Sequence, residues 1–148
     1  MWKEYDLPVA IAAGDWLVAH GYALIADSGF EHAIDMMRAT VRSHVALCEG
    51  QGDDLMASAK SADDDYVSVC ERKTGEAFAL AAELGALAAG VDGAPYRRYG
   101  LDFGVVFQIR DDMADGEAPG YAEELLKRKE KALADMEVFR ALGEWYRI

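Results

Sequence analysis

Three carboxylates, Asp111, Asp112 and Asp115, follow directly on the apolar run 103–109. On a helix, Asp111 and Asp115 lie four residues apart and share a face, with Asp112 about 100° further round. Three acids within one turn repel one another and weaken the helix unless a cation bridges them. Oxygen-only ligands on a rigid element suit Mg²⁺, which keeps several waters and completes its shell with substrate phosphates. The sharp reading is therefore a Mg²⁺–diphosphate platform at the mouth of a helical cavity. Taken alone, the cluster is more simply an acidic helix end facing solvent.

The elements that would position these acids follow from composition and periodicity. At 148 residues, 52% of them apolar and only 3 of them proline, the chain suits one helical domain with a real core. A net charge of 15 − 27 = −12 argues against nucleic acid and anionic membrane surfaces as partners. An anionic substrate then needs a metal ion or a local basic pocket. Cys48 and Cys70 are too few for a disulfide scaffold, and a reducing cytoplasm is the simple reading. No uninterrupted apolar run reaches the ~18 residues of a membrane span, so a soluble protein without a transmembrane segment is expected.

Five helices are expected. The first covers 7–25, opened by Pro8 and stopped at Asp27-Ser28-Gly29; it is apolar nearly all round and should be buried on more than one side. The second covers 30–56, with apolar residues at helical spacing until Glu49-Gly50-Gln51-Gly52-Asp53-Asp54. That late polar, glycine-containing patch is a local conflict of the kind found at sites. His44 receives no role. Asp63, Asp64 and Asp65 suit the start of a third helix, 66–89, as caps rather than metal ligands. This helix carries Lys73-Thr74 and then a run of small apolar residues that lets neighbours approach closely. The fourth, 96–115, ends in the acidic cluster, and Gly116 to Gly120 turns the chain into a last helix, 121–147, with a basic stripe. Nothing alternates with period two, so the fold class expected is an all-α bundle.

Read together, these motifs resemble the trans-polyprenyl diphosphate synthase family. The series is Trp2, Tyr5 and Ala13-Gly14-Asp15, then Glu49-Gly50-Gln51-x-x-Asp54-Leu55, then Lys73-Thr74, then Phe107-Gln108-x-x-Asp111-Asp112-x-x-Asp115. The resemblance implies the isoprenoid-synthase helical fold over a single domain, 1–148. It also implies a reaction in which Mg²⁺ draws diphosphate off an allylic prenyl chain and isopentenyl diphosphate attacks the carbocation. By that match, Asp111, Asp112 and Asp115 bind Mg²⁺, and Lys73 and Thr74 are the catalytic pair beside the diphosphate. Gln108 faces the chain end, while Gln51 and Asp54 are polar positions deeper in the cavity.

The family's N-terminal half, with its first aspartate-rich motif and the basic residues that hold isopentenyl diphosphate, has no counterpart in these residues. A truncated member is expected, its partial fold completed by a homo-oligomer or a partner synthase subunit. The Gly-Lys-x-Thr-Leu-Pro-like segment is not recognisable either. Arg128-Lys129 is its degenerate remnant, or 121–147 is the family's terminal helix after a deletion. Three functions stay open: one part of a hetero-oligomeric prenyltransferase, a small stand-alone Mg²⁺-dependent enzyme acting on prenyl diphosphates, and a non-catalytic binding or regulatory module.

Overall fold

The computed structural model describes residues 3–56 and 63–136. These form α1 (Leu7–Ala26), α2 (Ala33–Met56), α3 (Asp63–Cys70), a five-residue π-helical turn (Glu71–Gly75), α4 (Glu76–Ala88), α5 (Ala94–Asp115) and α6 (Ala122–Ala134). No strand occurs among the described residues, as the absence of period-two alternation implied. α3, the π turn and α4 follow one another without a break, and the backbone stays right-handed at Cys70, Gly75 and Glu76. The six α-helices are thus five rods, the third widened by one π turn.

The punctuation read from the sequence acts as expected. Asp6 caps α1 by accepting from the Val9 amide at 3.0 Å, and Pro8 occupies the first turn, where its missing N–H costs nothing. Gly116, at φ 75°, ends α5 in the left-handed conformation. α5 begins at Ala94, two residues before the expected start, because Asp92 accepts from the Ala94 amide and Pro95 fits the first turn. Asp63 opens α3, so the three aspartates lie in its first turn, where the macrodipole favours them. Their side chains, that of Asp54 and residues 137–148 lie outside the described part, so the expected course of the last helix beyond Met136 does too.

α5 is the spine. It packs most extensively on α4 and also contacts α3, the π turn and α6. Its apolar face, Val105 and Ile109, joins Cys70 of α3 with Ala122 and Leu125 of α6 in the core. Two polar ties fix the neighbours. Buried Glu76 accepts from Ser43 at 2.8 Å and from Arg97 at 2.6 Å, linking α2, α4 and α5. Buried Asp102 accepts from Arg98 at 2.7 Å and from Lys129 at 3.3 Å, linking α5 to α6. Both acids keep charged partners, as buried carboxylates must.

α1 corrects the sequence expectation. It packs on α2 alone among the described elements and buries none of its residues. Trp16 is 62% exposed and Leu17 60%. An apolar circumference produces burial only where neighbours exist, and the described residues supply one. By length and mean hydropathy, 1.5, α1 also passes as a membrane-crossing helix near the N-terminus, which qualifies the expectation that no segment does. Asp15 near its midpoint would carry about 3 kcal/mol of cost at a bilayer centre.

Candidate active site

The π turn carries Arg72, Lys73 and Thr74 and is gripped by glycines on both sides. A Cβ on Gly50 of α2 would stand 2.5 Å from Cβ of Arg72, and one on Gly104 of α5 would stand 2.6 Å from Cα of Gly75. Only a hydrogen fits at either place, so both backbones come within contact of the turn. The Gly50 grip explains the conflict read in the sequence: the late glycine of α2 is there for packing. π turns recur at functional sites because the extra residue re-aims side chains.

What the turn aims is a chain of polar contacts. The Thr74 hydroxyl donates to Gln108 Oε1. Gln108 Nε2 donates to Asp112 Oδ1 at 2.6 Å, and the Tyr66 hydroxyl donates to Asp112 Oδ2 at 2.6 Å. The carboxylate can only accept, so it requires the NH₂ end of Gln108, leaving the amide oxygen to accept from Thr74. Gln108 is buried, yet both ends of its amide are satisfied. Each oxygen of Asp112 is held by one donor, from a different element.

Tyr66, Gln108 and Asp112 border a cavity of about 190 Å³ that is also lined by Val69, Cys70, Lys73 and Glu117. That volume is below the ~300 Å³ at which pockets begin to enclose drug-sized ligands, so it suits a polar head group rather than a prenyl chain. One cation, Lys73, and two carboxylates, Asp112 and Glu117, border the same space. Burial, foremost, and donation to Asp112 raise the Tyr66 phenol well above its ordinary value, so it stays a protonated donor. Burial also pushes the Cys70 thiol up to about 11; the Asp112 charge adds to the rise, while the Tyr66 hydrogen bond and Lys73 oppose it.

The structure thus brings together Lys73, Thr74, Gln108 and Asp112 of the residues singled out in the sequence. It does not bring in Asp111, Asp115 or Gln51, and the side chain of Asp54 lies outside the described part. Asp111 and Asp115 are exposed, one turn apart, while Asp112 is half-buried and turned to α3, matching the offset expected on a helix. Gln51 is exposed and does not line the cavity. Tyr66 and Cys70 were missed. A signal existed for Tyr66: seven residues before Lys73, it returns to nearly the same helix face.

Among the described residues, no three His, Cys, Asp or Glu side chains converge closely enough to cage a metal ion. Mg²⁺ does not require a protein cage; it takes one or two carboxylates and fills the rest with water and phosphate oxygens. Half-buried Asp112 beside Lys73, with Asp111 and Asp115 on the adjoining surface, fits that mode.

The sequence profile of the family described as Polyprenyl synthetase matches residues 1–131, which include every residue of this site. The chain belongs to the polyprenyl synthetase family. It is 33% identical over 140 residues to the geranylfarnesyl diphosphate synthase of Natronomonas pharaonis, covering 90% of this chain and 40% of that one. It is 31% identical over 119 residues to the geranylgeranyl diphosphate synthase of Rhodobacter capsulatus, covering 76% of this chain and 39% of that one. A crystal structure of a geranylgeranyl pyrophosphate synthase superimposes on it with a TM-score of 0.74 at 26% identity, over 82% of this chain and 39% of the other. The chain therefore spans about 40% of the length of the curated relatives it matches. The all-helical polyprenyl synthetase fold is in place over that part.

Proposed function

We propose that this polyprenyl synthetase chain binds the diphosphate of an allylic prenyl substrate with Mg²⁺, as one part of a prenyl diphosphate synthase of isoprenoid biosynthesis in the cytoplasm. The observation that carries the reading is the convergence of Lys73, Gln108 and Asp112, from two separate stretches of chain, on one head-group-sized cavity, with Thr74 bonded to Gln108 behind its wall. Charge neutralisation of the leaving diphosphate would come from Mg²⁺ held by one or two of Asp111, Asp112 and Asp115. Lys73 adds a fixed positive charge on the cavity wall, where it favours the separated diphosphate over the intact ester. Gln108, tied at both ends, holds Asp112 and Thr74 in register and so presents a preorganised polar wall. The apolar surface left bare on α1 supports a homo-oligomer or a partner synthase subunit that covers it and adds the facing wall.

Calorimetry with inorganic pyrophosphate tests the reading. Heat is expected with Mg²⁺ and none in EDTA, because carboxylates alone repel the anion. The double variant Asp111→Ala/Asp112→Ala should lose that heat while staying folded. Binding unchanged in the double variant would make the acidic cluster a solvated helix end. With isopentenyl and allylic diphosphates, elongation is expected only once a polypeptide bearing the complementary aspartate-rich motif is added, and Lys73→Ala should then abolish it. Elongation by the 148 residues alone would replace the subunit reading with that of a stand-alone enzyme.

A further inference from the structure

We propose that Tyr66 is a positioning residue of this site: its phenol fixes the one aspartate of the cluster that lines the cavity. The inference rests on the reading of the site as a Mg²⁺–diphosphate site. Three observations carry it. The Tyr66 hydroxyl donates to Asp112 Oδ2 at 2.6 Å, on the oxygen that Gln108 leaves free. Tyr66 itself lines the cavity beside Lys73. Its ring is clamped, edge-on to Tyr121 with centroids 6.4 Å apart and packed against the core of Cys70, Val105 and Ile109.

The consequence follows from the geometry of a carboxylate held at both ends. With one donor per oxygen, from α3 and from one turn earlier on α5, the Asp112 plane cannot rotate freely. Remove the phenol and Gln108 remains the only donor among these contacts. Asp112 can then turn about its own side-chain bonds, and the Thr74–Gln108 pair loses its far anchor. Partners that orient ligating carboxylates typically change metal affinity by about 10–100-fold when removed. Tyr66 sits where such a partner would sit. A tyrosine that only filled space would be replaced by phenylalanine without effect on Mg²⁺.

The test measures the rise in unfolding midpoint that Mg²⁺ plus inorganic pyrophosphate gives each protein over its own unliganded state, as Mg²⁺ is titrated. Because each protein is its own reference, a lower starting stability does not obscure the result. Tyr66→Phe keeps the ring and should need roughly tenfold more Mg²⁺ for the same rise. Tyr22→Phe removes a phenol bonded to His44, away from the cavity, and should titrate as the parent does. A parent-like Mg²⁺ titration in Tyr66→Phe would overturn this inference alone, provided the parent responds and Asp111→Ala/Asp112→Ala does not. No response in the parent would overturn the site reading and this inference with it.

Discussion

Helix α1 carries Leu7, Val9, Ile11, Trp16, Leu17, Val18 and Leu24, all exposed, and buries no residue. Helix α5, of similar length, contains two internal glycines, a glutamine and several charges, yet buries Gly100, Asp102, Gly104, Val105, Val106, Gln108 and Ile109. Apolar content and burial run in opposite order between the two. The difference is neighbours: α5 is enclosed by α3, the π turn, α4 and α6, whereas α1, among the described residues, has α2 alone. Composition measures what a helix could bury; packing partners decide what it does bury. The glycines that lower the apolar content of α5 are what let its neighbours close on it.

The sharpest way to break this comparison is to cut a cavity in the spine. Ile109 is wholly inaccessible and belongs to the core with Cys70, Val105 and Leu125. Ile109→Ala should lower unfolding free energy by about 2–5 kcal/mol, read from urea midpoints at unchanged slope. A loss under 1 kcal/mol would mean that α5 is not the element that holds the fold.

Overpacking is the converse probe, with a somewhat smaller effect. The methyl of Gly104→Ala would meet Cα of Gly75 at 2.6 Å, a backbone atom that cannot swing aside. A cost of about 1–3 kcal/mol is expected, together with weaker Mg²⁺-dependent pyrophosphate binding, because the displaced turn carries Lys73 and Thr74. Gly14 of α1 has open space where its Cβ would be. Gly14→Ala should therefore be neutral or stabilising in a dilute monomer, since alanine is the better helix former by about 1 kcal/mol.

The two cysteines sharpen the same contrast chemically. Cys48 is exposed, while Cys70 is buried with its thiol pushed up to about 11 from an ordinary 9.0. The folded state therefore favours the neutral thiol. That contribution is complete below pH 9 and is lost as pH rises from about 9 to 11, on the order of 2 kcal/mol in all. At pH 8 a thiol reagent should label Cys48 and spare Cys70 until the chain unfolds. Equal labelling of both in the folded protein would contradict the burial.

Much of this was legible in the residues. Pro8, the Asp27–Gly29 stop and Gly116 gave three helix ends, because local capping chemistry decides them without reference to the rest of the fold. The convergence of Lys73, Thr74, Gln108 and Asp112 was reached through the resemblance, since no periodicity joins residues on different helices. The π turn was not legible, because it arises from Gly50 and Gly104 pressing on a segment that reads as ordinary helix. Tyr66 and Cys70 carried no motif that would single them out, so their place beside Asp112 and Lys73 emerges only from the packing of α3 on α5. Gln51 was placed inside the cavity by its motif match alone, and in this chain it is exposed. For α1, the apolar circumference was read correctly and its burial was not, because a sequence does not state how many neighbours a helix will have.

The smallest expected effect on stability is therefore on α1, and it is the most informative about assembly. Leu17 is 60% exposed, so Leu17→Ala in a dilute monomer removes little apolar area from any core and should change unfolding free energy by no more than about 0.5 kcal/mol. The same residue becomes costly to remove if α1 is covered by a second copy. At micromolar concentration the parent should scatter light as more than a monomer, because an apolar surface running the length of a helix exceeds what monomers leave bare. Trp16→Glu/Leu17→Glu places two charges on that surface, where burying them against a partner would be strongly unfavourable. The double variant should return to monomer mass while its unfolding midpoint at low concentration stays near that of the parent. If the parent is already a monodisperse monomer, α1 awaits a different polypeptide, and the same variant should then block restoration of elongation by the complementary subunit. If the variant unfolds at low concentration, α1 is held by the chain itself and its contrast with α5 disappears.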